Sequence, residues 1–444
     1  MRDYALLAFM IGALPSALIH PVYGIYLWTW ISVMNPHRLT WGFTYNMPFA
    51  LYTALATFVG LILTKDRRRM PIAAPTIALA LFLAWIVIGY PFSFFPAGSY
   101  EMLNKVVKIQ LMTFVAAAVI VERRHVRWLV WVLTVSLGFF GVKGGLFTIR
   151  TAGAYKVWGP PGSFIEGNNE LALALIASIP LMWYLLETSA KRWVKVGLAT
   201  AMVLTALAAL GSYSRGALLA IAAMAITLWW YSKRKALLGL ILITLAPMLV
   251  AFMPGAWDTR MRSILNYAHD GSAMGRINAW WNAWNLAKDY PLFGGGFDIA
   301  EPSVFARYAP NPTDIHAAHS IYFQVLGEHG FVGLFLFLLI WWFTWRTAVW
   351  IREHTTPGGE HRWAFHLAAM AQVSLVGYFV GGAFLSLAYF DLPYYIMVLL
   401  VATRWIIENE AQSVLAPART GIASRGTYAG PLGGVTASAR GREV

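Results

Sequence analysis

Three of the ten histidines lie close together in the segment "NPTDIHAAHSIYFQVLGEHG", residues 311–330. His316, His319 and His329 could bind a metal ion or accept a proton, because imidazole does both near neutral pH. A zinc site would need a third ligand from elsewhere in the fold, and the segment has no H-E-x-x-H pattern. The sequence after His319 is continuously apolar, so we expect His319 at the mouth of a membrane helix, where a general base can act in a shielded site. A helix-start histidine without a catalytic role is the alternative, and for the other two histidines a structural role is favoured.

Arg215 lies in "GSYSRGALLA", where its neighbours Gly211, Ser212, Ser214 and Gly216 are small. Small neighbours leave space for a ligand, and a guanidinium group offers several donors matched to phosphate oxygens. The topology given below places this arginine at the external end of its helix, where positive charge is disfavoured in membrane proteins. We therefore predict an anion site, with a side chain that snorkels to the outer headgroups as the alternative.

A second arginine, Arg276, lies at the start of a tryptophan-rich helix that is predicted to begin at Gly275. Trp281 and Trp284 share one side of this helix, which is typical of a helix lying in the membrane interface. Because helix N-termini favour anions, we predict that Arg276 also binds an anionic ligand. A purely structural interfacial helix is the alternative. The glycines of "PLFGGG" (291–296), which should end this helix, indicate flexibility or close packing as well as they indicate a phosphate loop.

Weaker candidates are polar residues in other segments that we predict to be external. In "FIEGNNELALA" (164–174), Glu166, Asn168 and Asn169 could contact hydroxyl groups of a ligand, but they could equally cap the following helix. The remaining candidates are Arg150, Lys156, Tyr322 and Asp391. Each of these residues is more readily explained by a structural role.

Membrane helices have to position all of these residues. The chain of 444 residues is 59% hydrophobic and 12% charged, and long apolar runs recur from end to end. We therefore predict an all-α polytopic integral membrane protein. Most of the basic residues behind the net charge of +14 lie in short clusters between apolar runs, which indicates topology and lipid contacts rather than nucleic acid. The absence of cysteine excludes disulfides and thiolate metal sites.

About twelve transmembrane helices are expected. The basic clusters fall in every second loop, and these loops should be cytoplasmic by the positive-inside rule. Residues 1–35, which contain two prolines, should then cross once from a cytoplasmic N-terminus. The other spans are predicted at 47–64, 71–90, 104–121, 127–149, 169–187, 194–211, 216–232, 236–253, 330–349, 364–385 and 388–407.

Four regions follow from this topology. An N-terminal transmembrane bundle (1–253) precedes a long external loop with amphipathic helices (254–329), which is followed by C-terminal transmembrane helices (330–407). The final region (408–444) is rich in Gly, Ala, Ser and Arg, and we predict a disordered cytoplasmic tail. A non-spanning segment as long as the external loop is usually functional.

The motifs "SYSRGA", "GRINAW…DYPLFGGG" and "HAAHSIYFQVLGEHGFVGL" occur in this order, and together they resemble the bacterial O-antigen ligase family, part of the O-antigen ligase/polymerase superfamily. Within it, "FIEGNNELALA" and "GGAFLSLAYFDLPYYI" resemble the exosortase-associated O-glycosylation ligases. The resemblance extends to about residue 407. On the matching positions, the family's helix-end arginine is Arg215, its loop arginine is Arg276 and its loop histidine is His319. His316 has no clear counterpart, so a contact with substrate stays open for it.

The resemblance implies a GT-C-like glycosyltransferase of the bacterial inner membrane, with an active site that faces the periplasm. Such an enzyme joins a glycan from undecaprenyl pyrophosphate to a sugar of the lipid A core in lipopolysaccharide biosynthesis, without a metal ion or another cofactor. Arg215 and Arg276 would bind the donor pyrophosphate, and His319 would be the catalytic base. The implied partners are this donor, the lipid A-core acceptor and membrane lipids.

Three other functions remain as alternatives. A polysaccharide polymerase or a protein O-oligosaccharyltransferase would use the same donor with a different acceptor. A transporter or flippase would predict internal repeats and ionisable residues near the middle of the spans. The candidate residues of this chain gather at one face of the membrane instead.

Overall fold

The computed structural model of the chain describes residues 1–66, 68–70, 72–232, 235–251, 253–262 and 270–420. All regular secondary structure within these residues is helical, so the prediction of an all-α protein is confirmed. The first half of the chain contains α1 (Arg2–Ile19), α2 (Pro21–Met34), α3 (Phe49–Leu63), α4 (Ala74–Gly89), α5 (Pro96–Val119), α6 (Arg123–Arg150), α7 (Asn168–Thr188) and α8 (Arg192–Leu210). The second half contains α9 (Arg215–Tyr231), α10 (Lys235–Ala251), α11 (Gly255–Arg262), α12 (Gly271–Asp289), α13 (Pro302–Tyr308), α14 (Ile321–Glu353), α15 (Arg362–Gly382) and α16 (Asp391–Thr420).

Eight helices in the described part of the chain are long and apolar enough to cross a membrane. They are α1, α5, α6, α7, α8, α14, α15 and the unit that α4 forms with the 3-10 turn Tyr90–Phe92. Two further apolar helices, α3 and α9, are shorter. The chain is therefore a multi-pass membrane protein. The predicted total of twelve spans is not confirmed, and the GT-C-like topology stays a prediction.

Residues 1–35 form two helices instead of one crossing segment. His20 is extended (φ −137°, ψ 104°), and Pro21 occupies the first position of α2, where its fixed φ favours a helix start. Asp3, in the first turn of α1, accepts hydrogen bonds from the backbone N–H (3.1 Å) and the hydroxyl (2.7 Å) of Thr44, which follows α2. Both ends of this segment therefore lie at the same end of the bundle. The prediction that it crosses once from a cytoplasmic N-terminus is wrong, because the two helices fold back on each other at His20.

The centre of the bundle is formed by α7, α15 and the start of α16. In both α7 and α15, 72% of the spanning window is buried, against 17% in α1, and α16 begins with the continuously buried residues 391–403. Gly381, at the end of α15, packs closely against Leu173 of α7 and Ala220 of α9. Hence α7 and α9 begin where α15 ends. We call the end of the bundle at which α7 and α9 begin and α15 ends the site end.

The boundaries of the predicted regions differ in detail from the helices. The described part of the long segment 254–329 contains α11, α12 and α13, and α14 already begins at Ile321. The helical backbone of α14 is interrupted at Gly330 (φ 68°, ψ −172°), where the predicted span begins. The predicted tail starts inside α16, which reaches Thr420. Some predicted parts lie outside the described residues: the tail after 420, residues 263–269 of the loop, position 71 of the span 71–90 and position 252 of the span 236–253. The same holds for positions 67, 233 and 234 in the basic clusters 65–69 and 233–235.

The three glycines 294–296 pack against the interruption in α14. The backbone N–H groups of Gly295 and Gly296 donate to the carbonyls of Gly327 (2.9 Å) and Glu328 (3.0 Å), and Phe331 donates back to Pro291 (2.8 Å). These bonds satisfy backbone groups that the broken helix would leave unpaired. The glycine run is therefore explained by close packing, one of the interpretations that the sequence left open.

Gly294 provides a test of this packing. Its φ is +63°, and a Cβ atom at this position would lie 2.5 Å from the Gly327 carbonyl oxygen. We expect Gly294→Ala to destabilise the protein by more than about 2 kcal/mol, since a left-handed alanine costs about 1–2 kcal/mol and overpacking about 1–3 kcal/mol. Thermal unfolding of the purified protein in detergent measures the effect. The matched control is Gly197→Ala in α8, where nothing lies within 4 Å of the new Cβ; equal melting temperatures for the two variants would contradict the prediction.

Candidate functional site

Arg215 joins the starts of two helices at the site end. It is the first residue of α9, whose N-cap Ser214 accepts a hydrogen bond from Ala217 N at 3.2 Å. Its Nη1 and Nη2 atoms donate to Oδ2 (2.7 Å) and Oδ1 (3.1 Å) of Asp270. Asp270 is in turn the N-cap of α12 and accepts from Ala273 N at 3.0 Å. The predicted anion-binding arginine therefore has a carboxylate of the protein itself as a two-point partner.

Arg276 lies six residues after this cap, on α12. Its charge is within electrostatic range of the Glu170 carboxylate at the start of α7 and of the His319 imidazole before α14. The start of α12 thus brings the two predicted arginines to the same region. Arg215 is held there by its ion pair with Asp270, and Arg276 is itself a residue of α12. Trp281 and Trp284 on the same helix are exposed, as expected of a helix in the membrane interface.

The loop that carries His319 is fastened to α12. The buried Asn278 side chain donates to the carbonyls of Asn311 (2.8 Å) and Asp314 (2.9 Å), and its Oδ1 atom accepts from Asn311 N (2.8 Å). Trp280 Nε1 donates to the Ala318 carbonyl at 2.8 Å. Because these bonds end one residue before His319, the position of the imidazole depends on α12.

His319 has a left-handed backbone (φ 42°), a conformation that side-chain-bearing residues seldom adopt outside constrained sites. Its Nδ1 atom lies 3.9 Å from Glu170 Oε1, and this nitrogen is shielded from solvent with no hydrogen-bond partner among the described residues. Burial, and then the electrostatic effects of the Arg276 guanidinium and the His316 imidazole, lower the pKa of His319 to about 4. The imidazole is therefore neutral at pH 7 and able to accept a proton.

Glu170 was missed by the sequence analysis. It stands at the third position of α7, and its carboxylate folds back over the N-cap Gly167. An acidic residue in the first turn of a helix is ordinarily explained by the helix dipole, so nothing in the local pattern distinguished it. Its contact with His319 joins positions 170 and 319, which only the tertiary fold brings together.

The neighbouring candidates Glu166, Asn168 and Asn169 support the start of α7. Asn168 is buried and donates to the Ser212 carbonyl at 2.6 Å, which fixes α7 to the turn before Arg215. Glu166 is exposed and accepts from Gly162 N at 2.8 Å. Asn169 is half-buried beside them.

Two further candidates lie in other helices, Arg150 in α6 and Tyr322 in α14. Arg150 is exposed in the last turn of α6, and the Tyr322 hydroxyl donates to the Phe379 carbonyl of α15 at 3.1 Å. Both positions suit structural roles, and their predicted contacts with substrate stay predictions.

The three histidines of the segment 311–330 have different partners. His316 Nε2 lies 2.8 Å from Asp314 Oδ1, and this pair packs over Gly275, next to Arg276. His329 is buried, with Nε2 2.8 Å from the Tyr389 hydroxyl. Within the described ranges, no three His, Asp or Glu side chains are grouped as ligands of one ion. The segment is therefore not one cluster in space.

Together these features define a class: a multi-pass α-helical membrane protein with a histidine, a carboxylate and two arginines at one end of the bundle. Comparison with known families makes this class specific. Residues 200–338 match the family described as O-antigen ligase, and this range contains Arg215, Arg276 and His319. Residues 200–338 thus form an O-antigen ligase domain, as the motifs in this part of the chain predicted.

The first part of the chain matches a different description. Residues 1–190, which include Glu170, match a family of unknown function, DUF5935. No curated protein matches the chain. The assignment to the exosortase-associated subgroup stays a prediction.

Proposed function

We propose that the protein is an O-antigen ligase that transfers a glycan from undecaprenyl pyrophosphate to a sugar of the lipid A core. The reaction would take place at the periplasmic face of the bacterial inner membrane. The observation that carries this proposal is the convergence of His319, Glu170, Arg276 and Arg215 at the site end, where an acceptor hydroxyl and a lipid-linked anion can meet. The family match supports an enzyme of the ligase or polymerase type.

The donor pyrophosphate would bind between the two arginines. Its oxygens take the place of the Asp270 carboxylate on Arg215, and Arg276 contacts the same group from α12. Guanidinium groups form two-point bonds with phosphate oxygens. Their positive charge stabilises the leaving pyrophosphate as the anomeric C–O bond breaks, which is the work that a divalent cation does in many nucleotide-sugar enzymes.

His319 would act as the general base. The acceptor hydroxyl attacks the anomeric carbon from the side opposite the pyrophosphate, and Nε2 of the neutral imidazole takes the hydroxyl proton. One C–O bond forms, one C–O bond breaks, and the anomeric configuration inverts. Undecaprenyl pyrophosphate leaves with the bonding electrons, and the proton passes from His319 to solvent.

Glu170 would orient this base. The general pattern of an activated nucleophile includes a third group that holds the base in the correct tautomer. A carboxylate at Nδ1 keeps the proton on that nitrogen and leaves Nε2 as the acceptor. The present separation of 3.9 Å has to shorten by about 1 Å for a hydrogen bond, and such bonds often tighten only when substrate is bound.

We expect Glu170→Gln to lower kcat on the order of 10²-fold, because an imidazole displaced by about 1 Å loses its alignment with the acceptor. The KM for the donor should change little, since the arginines that bind it remain. Glu166→Gln is the matched control, because this carboxylate lies in the same motif but accepts a hydrogen bond only within its own exposed loop. Steady-state kinetics with purified proteins would separate the roles: a rise in donor KM at unchanged kcat would exclude an orienting role for Glu170.

The proposed function is tested with purified protein, an undecaprenyl-pyrophosphate glycan and lipid A-core acceptors, with and without EDTA. Mass spectrometry of the products should show the glycan on the acceptor, in equal yield in both samples. A longer lipid-linked glycan would instead identify a polymerase, and a glycosylated peptide a protein O-oligosaccharyltransferase. Loss of transfer in EDTA would instead indicate that the reaction needs a metal ion, with the histidines as its candidate ligands.

A further inference from the structure

An open cavity of about 220 Å³ lies outside the residues assigned above. Its walls come from the end of α2, the middle of α5, the loop before α7 and the start of α16. The lining side chains that matter for its chemistry are Ser32, Asn35, Lys105, Lys108, Ser163 and Phe164. Because the loop residues precede Asn168 by only a few positions, the cavity opens near the site end.

Two lysines give the cavity its charge. Lys105 and Lys108 are three residues apart on α5, so their side chains share one face of a helix that is apolar enough to span a membrane. Lys105 is half-buried, and its Nζ atom lies 3.8 Å from the centre of the Phe164 ring. A lysine held under an aromatic ring inside a spanning helix is costly, and such residues usually mark a binding site or a pathway.

The acidic groups offset only part of the positive charge, because Asp391 and Glu101 both interact electrostatically with Lys105. Asp391 is the one acidic residue in the lining, and it already accepts a hydrogen bond of 2.6 Å from the Ser32 hydroxyl. Burial, and then the nearby charge of Arg38, lower the pKa of His37 to about 4, so this imidazole is neutral at pH 7. The Arg38 guanidinium adds a third cation at the rim, next to Gly162.

A structural role explains one lysine better than the other. The ring of Phe164 is a partner for Lys105, whereas in the described part of the chain Lys108 forms neither an ion pair nor a cation–π pair. Snorkelling to headgroups would account for an isolated exposed lysine. It does not account for two lysines that line one cavity together with the side-chain amide of Asn35, since donors arranged in this way match the oxygens of an anion.

We infer that this cavity binds the phosphate group of an anionic lipid and is a second anion site, separate from Arg215 and Arg276. The ammonium groups of Lys105 and Lys108 contact the phosphate oxygens, and the Asn35 amide, which uses one hydrogen on the Ser32 carbonyl, donates the other. The lipid chain would leave between α2 and α5 towards the bilayer. The inference does not depend on the proposed transfer reaction, because it concerns binding alone.

Native mass spectrometry of the full-length protein in detergent tests it with three probes. Undecaprenyl phosphate and dioleoyl phosphatidylglycerol carry a phosphate, whereas undecaprenol has the same chain as the first probe without one. We expect both phosphate lipids to bind on the order of tenfold more tightly than undecaprenol, the gain of about one charge-assisted hydrogen bond. A preference for undecaprenyl phosphate over phosphatidylglycerol would identify the ligand as an isoprenyl phosphate, and equal binding would identify it as a bilayer phospholipid.

Variants of the two lysines test whether the phosphate lipids bind in this cavity. Lys108→Met, at an exposed position, and Lys105→Met should each lower phosphate-lipid binding several-fold, and Lys105→Arg should retain it. Lys156→Met is the matched control, because this exposed lysine lies in the same loop as Ser163 and Phe164 but does not line the cavity. Unchanged binding in a correctly folded Lys108→Met protein, or an equal loss in Lys156→Met, would overturn the inference.

Discussion

His319→Ala should lower kcat for glycan transfer by a factor on the order of 10²–10⁴, the usual contribution of a positioned general base. Donor binding should persist, because the arginines are unchanged. The measurement is single-turnover transfer by purified protein in detergent, with expression and elution volume compared with wild type. The matched control is His316→Ala, whose imidazole is paired with Asp314 and is not needed to accept the proton. Full transfer by a folded His319→Ala protein would remove the base assignment.

The pH dependence provides an independent measure of the same residue. A base must be neutral to act, and the pKa of His319 is lowered to about 4 by burial and then by the charge of Arg276. The value of kcat/KM in the wild-type protein should therefore stay level as the pH falls through 6.5 and decline only towards pH 4. A decline centred near 6.5 would indicate that an ordinary, solvent-exposed imidazole controls the reaction.

Arg276→Lys and Arg215→Lys are expected to lower kcat/KM for the donor on the order of 10²-fold or more, as loss of one donor to a developing anion does. Lysine keeps the charge but not the planar fork that binds two oxygens. Arg307→Lys is the matched control, because Arg307 is an exposed arginine of the same segment, 3.7 Å from Asp289. Undiminished activity of either site variant would argue against two-point binding of the pyrophosphate.

For Arg215, the effect of losing pyrophosphate binding has to be distinguished from the effect of losing the ion pair with Asp270. Asp270→Asn removes the carboxylate charge but keeps an oxygen that can cap α12. We expect this variant to stay active and to have a lower donor KM, since the competing anion is gone. If Asp270→Asn instead loses as much activity as Arg215→Lys, the ion pair itself supports the site, and binding of pyrophosphate by Arg215 is not needed to explain the effect.

The sequence was sufficient for the helical membrane class, and its motifs singled out two arginines and a histidine that the structure brings to one end of the bundle. Hydrophobicity over about 20 residues and the order of three motifs depend only on local sequence. It was not sufficient for Glu170, Asp270 and Asn278, because each of these side chains also has an ordinary role in capping a helix or fastening a loop. Their contacts with His319, with Arg215 and with the 311–314 loop span from 33 to 149 positions of the chain. Such pairings follow from packing and leave no periodic signal.

The fold of residues 1–35 was missed for a related reason. Composition showed an apolar segment with two prolines, and a kinked single span and a folded hairpin have the same composition. The contact between Asp3 and Thr44 decides between them. Polar side chains that pair across a turn thus carry topological information that hydropathy lacks.

The ion pair between Arg215 and Asp270 has a consequence for selectivity. The surrounding bilayer presents phosphodiester headgroups, which carry a single charge, at very high local concentration. To bind Arg215, such a headgroup would have to displace the Asp270 carboxylate, which has the same charge and is covalently part of the protein. Replacing one ion pair by another in this way gains little free energy. A diphosphate carries more charge and can contact Arg215 and Arg276 at once. Its binding free energy can therefore exceed the cost of displacing Asp270. On the proposed function, the Asp270 carboxylate competes with phosphodiester lipids for Arg215. It therefore favours binding of the diphosphate donor over binding of the abundant bilayer lipids.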